Sequence, residues 1–437
     1  MSSPPTPTIA ITGARLVDET GTQDADVLIV DGAVAEVGPG LTGDVVLAAD
    51  GCVVAPGFVD LHAHLREPGD EEAETIETGA RGAALGGYTA VVAMPNTTPT
   101  IDSAAVVRHV IELAATANLC DVYPAAAITV GREGTQLSPM AELVRLGVRI
   151  FTDDGSGVQD EQIMRSALEY AGSLSHLADG IPIVLAQHCE VESLSRGGLM
   201  HEGDWSSRLG MPGQPAEAEE LMIMRDIALA RLTGSRVHFQ HVSTAGGVAM
   251  VRAAKEAGLP VSAEATPHHF TLDHSACTSF DPVFKVHPPL RTAVDIMAIK
   301  DGLADGTIDA IATDHAPHTS HAKDATFADA PPGMLGLETA FALANTELDL
   351  SIEDLVGVMS WKPARIAGVD DHHGRPIAVG EPANLVVLDP EASRTVSGSA
   401  MASRSTNTPY EGRELRGIVR HTIYNGDLVV QEGTATR

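Results

Sequence analysis

Short apolar runs recur along the middle of the chain, each followed by a longer segment whose apolar residues return at helical spacing. The runs are GFVDLHAH (57–64), YTAVVAM (88–94), VYPAAAI (122–128) and VRIFTD (148–153), then IPIVLAQH (181–188), VHFQHV (237–242), VSAEAT (261–266) and IDAIATD (308–314). The segments between them carry helix punctuation. Ser243-Thr244 can cap a helix that runs to Ala257 and stops at Gly258, and Pro215 with its neighbouring glutamates opens another that closes near Gly234. Eight βα repeats predict a closed parallel barrel, because an open sheet would need a topological switch point. Outside the repeats the pattern changes. Residues 8–56 read as short strands and turns, as do NLVVLD (384–389) and GIVRHTIYNGDLVV (417–430), where Asn425-Gly426 is a hairpin signal. The expected fold is α/β: a (β/α)8 TIM barrel over residues 57–370, with a small β-sandwich assembled from residues 1–56 and 371–437.

Composition narrows the class. An apolar fraction of 44% suits a chain that buries a sizeable core. The 28 Lys+Arg against 59 Asp+Glu leave a net charge of −31, which disfavours nucleic acid and anionic membrane as partners. The acidic residues are scattered, as on a solvated surface. Cys52, Cys120, Cys189 and Cys277 lie far apart and predict free thiols rather than a disulfide framework or zinc knuckle. The start MSSPPTPTIA lacks the basic and apolar regions of a secretory signal, and no stretch reaches membrane-spanning length, so a soluble cytoplasmic chain is expected. Gly38, Gly40 and Gly43 match G-x-G-x-x-G, but Pro39 interrupts them and no helix pattern follows, so no nucleotide site is expected. The sequon Asn96-Thr97-Thr98 is expected to be silent.

The candidate chemistry sits at the ends of the predicted strands. His62 and His64 are two apart at the end of the first run, and period-two geometry sends both imidazoles to one face. Asp153-Asp154 end the fourth run, His188 the fifth, His241 the sixth and Asp314 the eighth. Barrel active sites form where such strand ends converge, and a nitrogen and oxygen donor set suits zinc. The set is too large for one tetrahedral ion but fits two metals sharing a carboxylate, an arrangement able to hydrolyse an amide. Arg66 continues the i, i+2 series of His62 and His64 and would bring a guanidinium beside the metals if the strand stays extended.

Together the stretches APGFVDLHAHLREPG, VVAMPNTTPTID, FTDDGSGV, AQHCE, HFQHVSTAGG, EATPHHF, FKVHPPLR, AIATDHAPH, PPGMLGLETA and NTPYEGRELRG carry a family resemblance. The chain resembles the amidohydrolase superfamily, and within it the bacterial type I dihydroorotases, from about residue 9 to 430. The resemblance implies reversible interconversion of N-carbamoyl-L-aspartate and L-dihydroorotate in pyrimidine biosynthesis. It implies two Zn2+ per subunit held by His62, His64, Asp154, His188, His241 and Asp314, with Asp154 bridging and Asp314 also acting as general base and acid. Asp153 would point away from the metals. Substrate contacts would come from His64, Arg66, Asn96 and His318, and from the backbone around Pro332 and Gly333. His287 stands where the family usually has asparagine and is kept as a contact. His238, His268 and His269 are expected to pack or support rather than ligate.

The rivals are a hydantoinase- or dihydropyrimidinase-like hydrolase and a noncatalytic partner of aspartate transcarbamoylase. The first typically bridges its metals with a carboxylated lysine before the strand-five histidine. Here the five lysines are Lys255, Lys285, Lys300, Lys323 and Lys362, so that position cannot be filled. The second should have lost metal ligands, and none is missing. The resemblance leaves open a homo-oligomer and association of an active enzyme with aspartate transcarbamoylase.

Overall fold

The computed structural model describes residues 7–437. Eight parallel strands follow one another in chain order: Phe58–Ala63, Tyr88–Ala93, Asp121–Pro124, Ile150–Phe151, Val184–Gln187, Arg236–Phe239, Val261–Ala265 and Ala310–Ile311. The first three pair as one sheet and the last five as another. Two parallel bridges, Ala126 with Phe151 and Ala63 with His315, join these sheets into a closed ring. All eight predicted strands are present, although several are shorter than their apolar runs. The first two are buried at every residue, which explains why the runs are continuous rather than alternating.

Alternation is present within the barrel wall nonetheless. Val59, Leu61, Val184, Ala186, Ala310 and Ala312 pack in one cluster, while Phe58, Leu185 and Ile311 join the cluster shared with the surrounding helices. The first strand breaks this rule near its end. Asp60 pairs with Val91 and Ala63 with Ala93, three residues against two, so the strand carries an extra residue there. Ala63 and Leu65 consequently fall in the outer cluster, and His62 and His64 are left to face the mouth.

The helix Ala245–Glu256 is capped by Thr244, whose hydroxyl accepts from Gly247 N at 3.0 Å. The helix Glu217–Thr233 ends at Gly234 in the left-handed conformation, φ +70°. Both match the sequence expectation.

The terminal strands meet. A seven-stranded sheet places Val53–Pro56 antiparallel to Leu385–Leu388, so the two ends of the chain share one sheet. A four-stranded sheet holds Ile9–Thr12, Asp26–Val30, Ala33–Gly38 and Val45–Ala48. Ile9, Ile11, Val27 and Leu47 of the smaller sheet pack with Val54, Leu385, Val387 and Ile423 of the larger. Asn425 and Gly426, at φ +50° and +79°, turn the predicted hairpin between Tyr424 and Asp427. Gly40 also sits in a turn, whose N–H is accepted by Asp26, and a strand rather than a helix follows it. The four cysteines are free and buried. Among the described residues no helix is long and apolar enough to cross a membrane.

Candidate active site

The residues singled out at the strand ends converge at the carboxyl mouth of the barrel. Backbone geometry helps to aim them. His241 and Asp314, just beyond the sixth and eighth strands, adopt φ +33° and +45°. Residues other than glycine rarely occupy this region, and the strain they carry is found preferentially at functional sites.

His62 Nε2 lies 3.3 Å from Asp154 Oδ1 and 3.5 Å from Asp314 Oδ1. His64 Nε2 lies 3.0 Å from Asp314 Oδ1 and 3.6 Å from Asp154 Oδ2. On the other side, His188 Nδ1 is 2.9 Å from His241 Nε2 and 3.6 Å from Asp154 Oδ1. Asp154 is thus central, within 4.0 Å of all four imidazoles. Two overlapping triads, His62–Asp154–His241 and His62–His64–Asp314, each bring donor atoms close enough to share one ion. His62 Nε2 and His241 Nδ1 are buried without a hydrogen-bond partner. Such orphans in a cluster of nitrogen and oxygen donors fit a metal.

The electrostatics agree. Burial disfavours charge on His62, but the Asp154 and Asp314 carboxylates outweigh it and hold its pKa well above the usual value. The same competition raises the His188 pKa to about 10, because the Asp154 and Glu190 carboxylates beside it outweigh burial. Burial would raise Asp154 and Asp314, yet His62 and its neighbours keep both below the ordinary carboxylate range. Two buried carboxylates therefore demand positive charge at the mouth. A divalent cation can supply it in place of the protons.

A further ring of polar residues orients this cluster. Glu264, on the seventh strand, accepts from His62 Nδ1 and from His238 Nε2, each at 2.9 Å. His238 is not turned to the opposite side: with Ser262 and Glu264 it faces the barrel interior, while Val237 and Phe239 face the helices, and it supports His62 through that carboxylate. Asp60 accepts from Thr313 N at 2.9 Å and from His62 N at 3.2 Å, tying the first strand to the eighth. Burial raises its pKa to about 7. Asp153 does point away, bonded to Thr129 N at 3.0 Å. His269 donates from Nε2 to Pro288 O at 3.0 Å and accepts at Nδ1 from the Thr266 hydroxyl at 2.7 Å, and so packs locally. Sequence reasoning passed over Glu264 and Asp60. The available signal was a lone acid in each apolar strand, since an unpaired charge is almost never fully buried.

A cavity of about 250 Å³ opens above the cluster. His64, Arg66, Asn96, His287, His318 and Pro332 line it, with Gly333 and Asp314. One premise needs correction. The strand ends at Ala63, and Arg66 is left-handed at φ +61°, so the guanidinium does not arrive along an extended strand. A turn delivers it instead, with Nε donating to Pro317 O at 3.1 Å. Glu67, next to Arg66 in the chain, accepts from Ile76 N at 2.8 Å. Asn96 joins the cluster itself: Oδ1 lies 2.9 Å from His64 Nδ1, and Nδ2 donates to Asp154 at 3.3 Å. His318 donates from Nε2 to Pro332 O at 2.8 Å. Burial and the Arg66 charge lower its pKa to about 3, so it is neutral at physiological pH. A larger groove of about 540 Å³, bordered by Arg15, Leu355 and Arg416, lies beside the terminal sheet and none of the strand-end donors lines it. Chemistry rather than volume marks the site.

A closed parallel barrel with clustered histidines and aspartates at its carboxyl mouth defines the metal-dependent amidohydrolase class. Solved structures similar to the chain share its fold. An L-hydantoinase (dihydropyrimidinase) from Arthrobacter aurescens superimposes with TM-score 0.87 over 98% of this chain and 97% of that one, at 24% identity. A D-hydantoinase from Bacillus sp. AR9 gives 0.84 over 98% and 96%, at 25% identity. Sequence comparison goes further. Residues 51–246 match the family model described as dihydro-orotase-like. A dihydroorotase of Streptomyces coelicolor is 49% identical over 98% of this chain and 99% of its own length. One of Mycobacterium leprae is 47% identical over 97% and 98%. The chain belongs to the dihydroorotase family.

Proposed function

We propose that this dihydroorotase-family enzyme interconverts L-dihydroorotate and N-carbamoyl-L-aspartate at the barrel mouth. In this reading His62, His64, Asp154, His188, His241 and Asp314 would hold two zinc ions, Asp154 serving both. The observation that carries it is the Arg66 guanidinium, which shares one cavity with Asp314 and the histidines. Dihydroorotate bears a ring carboxylate, whereas hydantoin and dihydrouracil do not, and a planar guanidinium can hold a carboxylate with two parallel hydrogen bonds.

A metal held by these residues would supply Lewis acidity toward the ring carbonyl and a water acidic enough to attack at neutral pH. The rest falls to the protein. Arg66 grips the ring carboxylate, with Asn96 and His318 beside it, while His287 and the Pro332–Gly333 backbone border the ring. Asp314, ionised across the physiological range, takes a proton from the attacking water. It returns that proton to the ring nitrogen as the carbon–nitrogen bond breaks, so one water is consumed and one amide opened. Ring closure is the reverse and releases water. Glu264 and Asn96 fix the rotation of His62 and His64 throughout. The same reading divides the chain near 56/57 and 370/371, supported by the step from the terminal strand Val53–Pro56 to the barrel strand Phe58–Ala63.

Ring opening followed by ultraviolet absorbance, with zinc supplied, tests the assignment. L-dihydroorotate should turn over while dihydrouracil and hydantoin do not. Preferential turnover of the uncharged rings would contradict the role given to Arg66.

A further inference from the structure

Two of the chain's five lysines bond to segments that contribute to the cavity lining, and they differ from Lys255 and Lys300. Lys255 and Lys300 pair with Asp309 and Glu347. Lys285 and Lys323 bond instead to backbone carbonyls. Lys285 Nζ, on a residue only 6% exposed, donates to Ala328 O at 2.8 Å and Ala330 O at 2.7 Å. Lys323 Nζ donates to Pro282 O at 3.0 Å and Pro331 O at 2.8 Å. The two ammonium groups thus stitch one segment, 328–333, to another, 282–287, from both directions. Gly333 N completes the seam on Lys285 O at 2.9 Å.

These segments adjoin in the lining of the cavity, with Val286 and His287 contributed by one and Pro332 and Gly333 by the other. His318 also hangs on the second segment through Pro332 O. A charged donor to a carbonyl is stronger than a neutral one; here two such bonds from Lys285 cross the seam directly, and Lys323 bridges it with one bond to each side.

We propose that Lys285 and Lys323 are positioning residues, clamping the 328–333 segment against the 282–287 turn and so fixing the shape of the cavity lining around a carboxylate-bearing ring. The proposal rests on the dihydroorotase reading for its substrate, but the clamp itself is a property of these two segments.

The environment of Lys323 gives the clamp a signature. Burial lowers its pKa to about 7, and the charges of Lys285 and Arg66 add to that while Asp281 opposes it. Asp329 faces Lys285, and His318, neutral near pH 7, lies beside both Arg66 and Lys323. An amine with a lowered pKa loses its charge as pH rises through that value, so the Lys323 stitch weakens above about pH 7.

The test compares the wild type with K323M, K323R and K285M. For L-dihydroorotate, K323M should raise KM about tenfold with kcat within about twofold, because a charged hydrogen bond is worth roughly that factor and the reacting groups are untouched. K323R, which keeps the charge and donors, should stay within about twofold of wild type. The wild-type KM should climb between pH 7 and 9, and K323R should flatten that limb. Hydrogen exchange at residues 327–333 should quicken in K323M and K285M while the barrel strands keep their protection. Unchanged KM together with unchanged exchange in both methionine variants would overturn the clamp. So would an equal loss in K323R, or a pH limb that persists there. If wild type fails to open dihydroorotate, the functional reading fails, and the exchange data still decide the clamp.

Discussion

The barrel has a histidine–aspartate cluster at each end, and only one of them has chemistry left over. At the amino end, where the second and third strands begin, His373 bridges Thr89 Oγ1 at 3.0 Å and Asp121 Oδ2 at 2.8 Å. Tyr424, from the terminal sheet, donates to the other Asp121 oxygen at 2.7 Å. Both ring nitrogens and both carboxylate oxygens are occupied, so the network latches the terminal segments to the barrel floor. At the carboxyl end His62 Nε2 and His241 Nδ1 have no partner, the buried Asp154 and Asp314 carboxylates call for positive charge, and a cavity gives access. The residue types are the same. What separates a latch from an active site is whether the polar atoms are already satisfied, and the division follows the general rule that barrel chemistry gathers at the carboxyl face.

The largest effect should come from the mouth. Asp314→Asn keeps the shape of the side chain but cannot carry a proton between water and nitrogen. Turnover of dihydroorotate should fall about a thousandfold, near the middle of the range for lost acid–base catalysis, while the thermal midpoint stays close to wild type. A rate near wild type would remove Asp314 from the mechanism.

Next is Glu264→Gln, which weakens the hydrogen bonds orienting His62 and His238. Loss of such a support typically costs 10–100-fold in metal affinity, so zinc should leave the variant at correspondingly lower chelator concentration. A pH effect accompanies it. Burial works to raise the Glu264 pKa, but His238 and His62 depress it to about 2. A depressed carboxyl stabilises the fold fully above its unfolded value near 4.5, and that contribution is lost as pH falls toward 2. Wild type should therefore lose stability faster than Glu264→Gln on acidification from pH 5 to 3. Parallel melting curves would contradict the pairing.

The smallest effect on activity should come from the latch. His373→Ala leaves Asp121 with one partner fewer and opens a hole among buried groups, at a cost of about 2 kcal/mol. The thermal midpoint should drop by several degrees while kcat per folded molecule is unchanged. A large fall in kcat at a retained midpoint would mean that the amino end takes part in chemistry and that the contrast between the two ends is false.

Much of this architecture was legible in the amino-acid sequence because parallel barrel strands, covered on both sides, leave unbroken apolar runs, and because their polar ends stand out against them. Caps such as Thr244 and stops such as Gly234 were legible for the same local reasons. What escaped depends on backbone detail that no pattern encodes. The extra residue before Ala63, the left-handed backbone at His241 and Asp314, and the turn that delivers Arg66 all re-aim side chains by a single residue's conformation. Arg66 reached its expected place by an unexpected route. Glu264 and Lys285 were missed because their partners, His62 and the 328–330 carbonyls, are distant in sequence and meet them only through the fold.

The central claim is that the mouth recognises a ring carboxylate through Arg66. The most direct measurement is kcat/KM for L-dihydroorotate in Arg66→Met beside wild type, zinc-loaded, with the thermal midpoint recorded for both. The account predicts a fall of roughly a hundredfold, as expected for removing a bidentate charged contact, at an unchanged midpoint. An unchanged kcat/KM would contradict it.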